Sequence, residues 1–268
     1  MDLKDINPIK TVLDSEQGKN LTVPVTKRVG IFFDDIFDLV FGGWSHEIAE
    51  KKRIKHQKNI EDFKKQLYED ASKIPEDNLI PPKESIVGPA LEASKYYFDE
   101  EEIRDMFEKL ITNSMDNRKT TKVHPSFTEI IKQLSPLDAQ NLKLFQEEQV
   151  LPIVEYRIQR EGGYNVVKTN VFLENPEVQE IDIQAMSVAS LERVGLVSIA
   201  YGVYLANNVL YEKYENNPFY LSLVNAIKSL SIEPTAKVKS AKVEKGEIKL
   251  TPLGQSFIDV CLAPLSQQ

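Results

Sequence analysis

The chain has a single cysteine, Cys261, in 268 residues, so it cannot build an intrachain disulfide framework or a cysteine-rich zinc site. Histidine is nearly as scarce. His46, His56 and His124 lie far apart and none falls in an HExxH pair, so no metal site is expected. Walker A, GxGxxG and GxSxG sequences are all missing, which removes the common phosphate cradles and the nucleophile elbow. No catalytic residue, cofactor or enzymatic activity is therefore expected. Long apolar runs are also lacking. The most membrane-like stretch, VGIFFDDIFDLVFGGW (29–44), is shorter than the ~20 residues that cross a bilayer, and Asp34, Asp35 and Asp38 interrupt it. The opening MDLKDINPIKTVLD shows neither the basic nor the apolar region of a secretory signal. A cytoplasmic protein without a transmembrane segment is expected.

What is present is an ordinary globular composition, 41% apolar and 28% charged, with a formal net charge of −8. That charge opposes non-specific nucleic-acid binding by the whole surface. One island differs: residues 51–66 hold seven Lys or Arg against Glu61 and Asp62. Within it Lys51, Lys52, Arg53, Lys55 and Lys58 are the candidate partner- or nucleic-acid-binding residues. On a helix Lys51, Lys55 and Lys58 share one face, flanked by Lys52 and Arg53. The plainer meaning of such a run is a solvated helix face. A protein partner or a second copy of the chain is the favoured occupant, ahead of nucleic acid.

Residues 1–28 carry little periodicity and read as an irregular leader. Val29, Phe32, Phe33, Ile36, Phe37, Val40 and Phe41 repeat at three and four, as an amphipathic helix does. Gly42-Gly43 breaks it, and a long helix follows. The proline-rich IPEDNLIPPKESIVGPA (74–90) reads as a connector. Beyond it Ile103, Met106, Phe107, Leu110 and Ile111 mark a helix, with Asp99 and Glu102 in capping-box spacing. Ser126 and Glu129 have the same spacing ahead of a further helix carrying Phe127, Ile130, Ile131 and Leu134. Ser135-Pro136 with Asp138 is a helix-start signal, because N1 needs no amide donor and the dipole favours an early acid. Two helices, not one kinked helix, should meet there.

After this junction the character changes. YNVVKTNVFL and LVSIAYGVYL have strand-like composition. DIQAMSVASLERVG reads as a helix stopped by Gly195, ENNPFYLSLVNAIKSL as a helix with Pro218 near N1, and TPLGQSFIDVCL as a helix capped by Thr251. KVKSAKVEKGEIKL resembles a hairpin turning at Lys245-Gly246. This order resembles a winged-helix domain with an enlarged wing, the 216–230 helix inserted between its strands. The expected fold class is mainly α: a leader (1–28), a helical domain (29–134) and a winged-helix-like α+β domain (135–268). A DNA-binding winged-helix regulator is the alternative function. The would-be recognition helix offers Gln184 and Arg193 but also Asp182 and Glu192, poor equipment for reading bases.

The blocks EASKYYFDEEEIRDMFEKLITNSMD (92–116) and VHPSFTEIIKQLSPLDAQNLKLF (123–145), with the terminal LTPLGQSFIDVC, resemble the abortive infection alpha family of bacterial proteins. The resemblance implies a role in defence against bacteriophage, in which infected cells die or arrest before phage release. It transfers no catalytic motif. A non-enzymatic protein that binds a phage or host macromolecule is the expectation it supports.

Overall fold

The structure is a computed structural model, and it describes Gly30, Asp35, Val40, Phe41 and residues 50–230 and 238–263. The expected leader, and all but four residues of the 29–41 segment, lie outside the described residues. The chain forms two compact units. One holds the described residues up to Pro136 together with those from Ser256 onward, and the other holds Leu137–Gln255.

The first unit is helical. It contains α1 (Glu50–Ala71), α2 (Glu84–Ser94), α3 (Glu101–Asn113) and the short α4 (Phe127–Ile131). The apolar residues of α3, namely Ile103, Met106, Phe107, Leu110 and Ile111, are all fully buried. Phe63 and Leu67 of α1 pack with them, and Phe63 meets Phe98 edge-on at 5.5 Å between ring centroids. Phe257, Val260 and Cys261 complete this core. The Phe127 and Phe257 rings cross at 79°, and Asn113 Nδ2 donates to the Val260 carbonyl at 2.7 Å.

Two local expectations fail here for physical reasons. The stretch 74–90 is not all connector: α2 starts at Glu84 and carries Pro89 inside it. Ile86, Val87, Ala90 and Leu91 lie on one buried face, and their burial outweighs the backbone bond that proline forfeits. The Ser126–Glu129 capping box does not form, and α3 starts one residue later than Asp99 would set it. Glu100, not Asp99, precedes α3, and Ser126 makes no side-chain cap. Its backbone N–H instead donates to His124 Nδ1 at 3.1 Å.

At the Ser135-Pro136 junction α4 ends at Ile131 and α5 (Pro136–Leu144) begins at the proline. The second unit follows. Its centre is a four-stranded antiparallel sheet in the order β2-β1-β4-β3, with β1 (Val150–Arg160), β2 (Gly163–Val171), β3 (Val197–Tyr201) and β4 (Val238–Leu250). Between β2 and β3 lies α6 (Ile181–Arg193). Between β3 and β4 come a 3-10 turn (Asn208–Tyr211), α7 (Glu212–Glu215) and α8 (Pro218–Leu230). The last helix, α9 (Pro252–Cys261), carries the chain back to the first unit.

The mainly α, winged-helix-like expectation is therefore wrong. A four-stranded sheet whose two central strands run 11 and 13 residues stands where an enlarged wing was expected, and the fold is α+β. The error turns on Gly246. Lys-Gly between two alternating runs looks like a hairpin turn, yet β4 passes straight through it, pairing Gly246 with Ile153 and Tyr201. A Cβ there would lie 2.6 Å from the Ala200 carbonyl oxygen and 2.8 Å from the Tyr201 ring. The glycine is present for close approach, not for turning. The true hairpin joins β1 and β2 at Gly162, whose φ of 81° needs no Cβ.

Tyrosines hold the sheet to its inserted segment. Tyr156, Tyr211 and Tyr214 are fully buried with Val154 and Val171. Tyr156 Oη donates to the Tyr214 carbonyl (2.9 Å), Tyr214 Oη to the Pro152 carbonyl (2.9 Å) and Tyr211 Oη to the Gly246 carbonyl (2.8 Å). Each large ring thus buries its apolar body and satisfies its hydroxyl.

Candidate functional site

The five basic residues singled out from the sequence lie on the first turns of α1. The side chains of Lys51, Lys52, Arg53 and Lys55 fall outside the description, and Lys58 is exposed. Further along the helix Lys65 pairs with Glu69 at 3.7 Å, both open to solvent.

The more developed chemistry sits where α1 and α3 pack. Asp62, Gln66 and Asp70 recur along α1 every four residues, one helical row. Glu101, Arg104, Asp105 and Glu108 recur on α3 at i, i+3, i+4 and i+7, another. With Lys73 and Lys109 these rows line a cleft of about 470 Å³. Asp70 and Glu108 are each only 5% exposed, and both line the cleft. Burial, then the neighbouring Asp70 carboxyl, pushes Glu108 up to about 9. Burial would raise Asp70 as well, but the influence of Glu108 and of the Lys73 ammonium outweighs it and holds Asp70 below its ordinary value. Lys73 Nζ lies 2.5 Å from Asp70 Oδ1, and Gln66 Nε2 donates to the same oxygen at 3.4 Å.

The remaining reactive side chains are committed elsewhere. Cys261 is fully buried and its thiol is pushed well up by that burial, which denies it thiolate character. His124 is exposed, with Nδ1 2.7 Å from Ser126 Oγ in the turn that opens α4. Among the described residues no three His, Cys, Asp or Glu side chains could hold a metal ion, and no helix is long and apolar enough to cross a membrane.

The second unit spends its polar residues on structure. Gln184 is fully buried, accepting from Asn141 Nδ2 at 2.9 Å and donating to the Val178 carbonyl at 2.8 Å. It cannot read a base. Glu192 accepts from the Ile199 amide at 3.1 Å. An open groove of about 690 Å³ runs where the first turns of α6 and α8 meet, with Ile181, Ile183 and Phe219 along it and Lys168 paired to Asp182.

Sequence reasoning missed the Asp70–Glu108 pair. The signal was there, as two polar rows on neighbouring amphipathic helices, but Glu108 follows Phe107 inside an acidic helix and looks like one more solvated charge.

Comparison with known proteins places the chain. The family model described as abortive infection alpha matches residues 55–261. Neither a curated protein nor a solved structure matches the chain.

Proposed function

The chain belongs to the abortive infection alpha family, and from that premise we propose that it is a cytoplasmic, non-enzymatic defence protein that binds a phage or host macromolecule during infection. The observation that carries the proposal is the family match, which runs through both units. Two further observations support a binding role over a catalytic one. Cys261 and Gln184 are buried in packing, and His124 and Ser126 satisfy one another within a local turn. The exposed Lys58 and the basic turns of α1 that precede it are the proposed contact surface, a positive patch on a chain of charge −8. A protein partner or a second copy of the chain is its proposed occupant.

The test is expression of the full chain in a susceptible bacterial host, followed by challenge with a broad phage panel. Fewer plaques, accompanied by death or arrest of infected cells, is the expected result. Unchanged plaque counts across the panel, with soluble protein confirmed, would overturn the proposal.

A further inference from the structure

The edge of a β-sheet presents a row of main-chain N–H and C=O groups that need a partner or a cover. The sheet of the second unit ends on β2 and on β3, and β4 runs on past the end of β3. Two of these edges are covered by side chains. Glu192 of α6 accepts from the Ile199 amide of β3 at 3.1 Å, and the Tyr220 hydroxyl of α8 donates to the Ala241 carbonyl of β4 at 3.4 Å. Lys239 and Lys242 add charge to that part of β4. The start of β2 has neither device. Gly163, Tyr164, Asn165 and Val166 are all exposed, and no charged residue stands between Gly163 and Val167. Among the described residues no side chain from another element covers the main chain there.

The hairpin decides which groups face outward. Arg160 and Gly163 flank the two-residue loop of Glu161 and Gly162. A pair in that place exchanges both main-chain bonds, and bonding alternates from there. Asn165 therefore bonds inward to Ile158, while Tyr164 and Val166 direct their N–H and C=O groups away from the sheet. Their side chains share one face, and both are open to solvent, Tyr164 at 52% and Val166 at 46%. The Arg157 guanidinium stands 4.2 Å from the Tyr164 ring centroid and is itself held by Glu155 at 2.6 Å and Glu244 at 3.2 Å. The ring is thus fixed before anything meets it.

We propose that this edge of β2 pairs antiparallel with the same edge of a second copy, across a twofold axis through Asn165, joining two four-stranded sheets into one. In that register Tyr164 of each copy stands opposite Val166 of the other. The two outward residues then exchange main-chain bonds twice, and two aromatic–β-branched pairs close over a surface left bare in the monomer. The occupant is a second copy because the stretch is its own complement: Tyr164 matches Val166, Gly163 matches Val167, Asn165 meets itself, and no like charges face one another. Sliding the register by two would set Tyr164 against Lys168, which is already paired with Asp182.

The contact belongs to β2 and not to the basic run on α1, so its test uses no phage. Sedimentation of the full chain should show a dimer that grows with concentration and persists in high salt, where a contact made by the basic run would weaken. Val166→Pro deletes an outward amide, spares the bonds to β1 and should weaken the dimer by about tenfold or more. Should that variant not fold, Val166→Lys keeps the amide, sets a charge on the seam and should weaken the dimer likewise. Asn165→Cys puts two thiols on the axis, in a pair whose Cα atoms lie about 4.5 Å apart, within disulfide reach. Mild oxidation should therefore link the chains, with Cys261 buried and inert. Val203→Cys, at a residue 57% exposed outside this edge, should not link them. A chain that stays monomeric at every concentration, a dimer unchanged by Val166→Lys, or Asn165→Cys linking no faster than Val203→Cys would overturn the proposal.

Discussion

Gly254 lies in the first turn of α9 with its Cα against the backbone of Leu196. A methyl group there would sit 1.9 Å from the Leu196 carbonyl oxygen and 2.9 Å from its carbon. Thr251 fixes the approach from the other side, accepting from the Gly254 amide at 3.0 Å and donating to the Gly195 carbonyl at 2.6 Å. Alanine in place of glycine within a helix ordinarily gains about 1 kcal/mol. Gly254→Ala should do the reverse, costing roughly 1–3 kcal/mol because backbone, unlike a side chain, cannot swing aside. Urea unfolding reads the sign directly, and a stabilised variant would show that α9 can slide away from the α6–β3 corner. Gly195 needs its glycine for a different reason. With φ of 77° it closes α6, its own amide reaching the Glu192 carbonyl and that of Leu196 reaching the Leu191 carbonyl, which is the Schellman pattern.

At the scale of elements, the segment between β3 and β4 is fastened to the sheet chiefly by buried tyrosines. Tyr214 is the most heavily used: its hydroxyl donates to the Pro152 carbonyl, accepts from the Leu173 amide at 3.3 Å and lies 2.7 Å from Glu174 Oε1. Tyr214→Phe keeps the ring and strands these partners in the core. The expected loss is about 1–3 kcal/mol, seen as a lower urea midpoint with unchanged circular dichroism. No loss would mean that water replaces the hydroxyl. Helices were the legible elements: α5, α6, α8 and α9 begin or end at Pro136, Gly195, Pro218 and Pro252, where start and stop residues act within one turn. The sheet was not legible in the same way. LPIVEY in β1 is buried at every position, so it shows no alternation, and Pro152 argues against a central strand. Its missing amide is tolerated because β2 pairs only as far as Val154, two residues short of the proline.

For the whole molecule, charge is the informative variable. A net charge of −8 with one basic stretch on α1 makes that stretch the place where anionic or acidic partners are repelled least. The triple change Lys51→Glu, Lys55→Glu and Lys58→Glu should leave folding within about 0.5 kcal/mol, the usual cost on the solvated helix face that the charge run implies. Phage protection should be abolished in the same variant. Full protection by the folded triple variant would return the run to a solvated helix face.

Most of the described helices, the start of α5 at Pro136 and the family were legible in the chain, because each rests on residues a few positions apart or on blocks such as 92–116 and 123–145, whereas α2 was hidden in a proline-rich stretch. That Gly246 lies mid-strand against Ala200, and that Asp70 and Glu108 are buried along one cleft, emerges only from packing. Both depend on partners tens of residues away. A glycine required by an approaching carbonyl is written no differently from one required by a turn, and a carboxylate becomes a buried acid only when another helix closes over it.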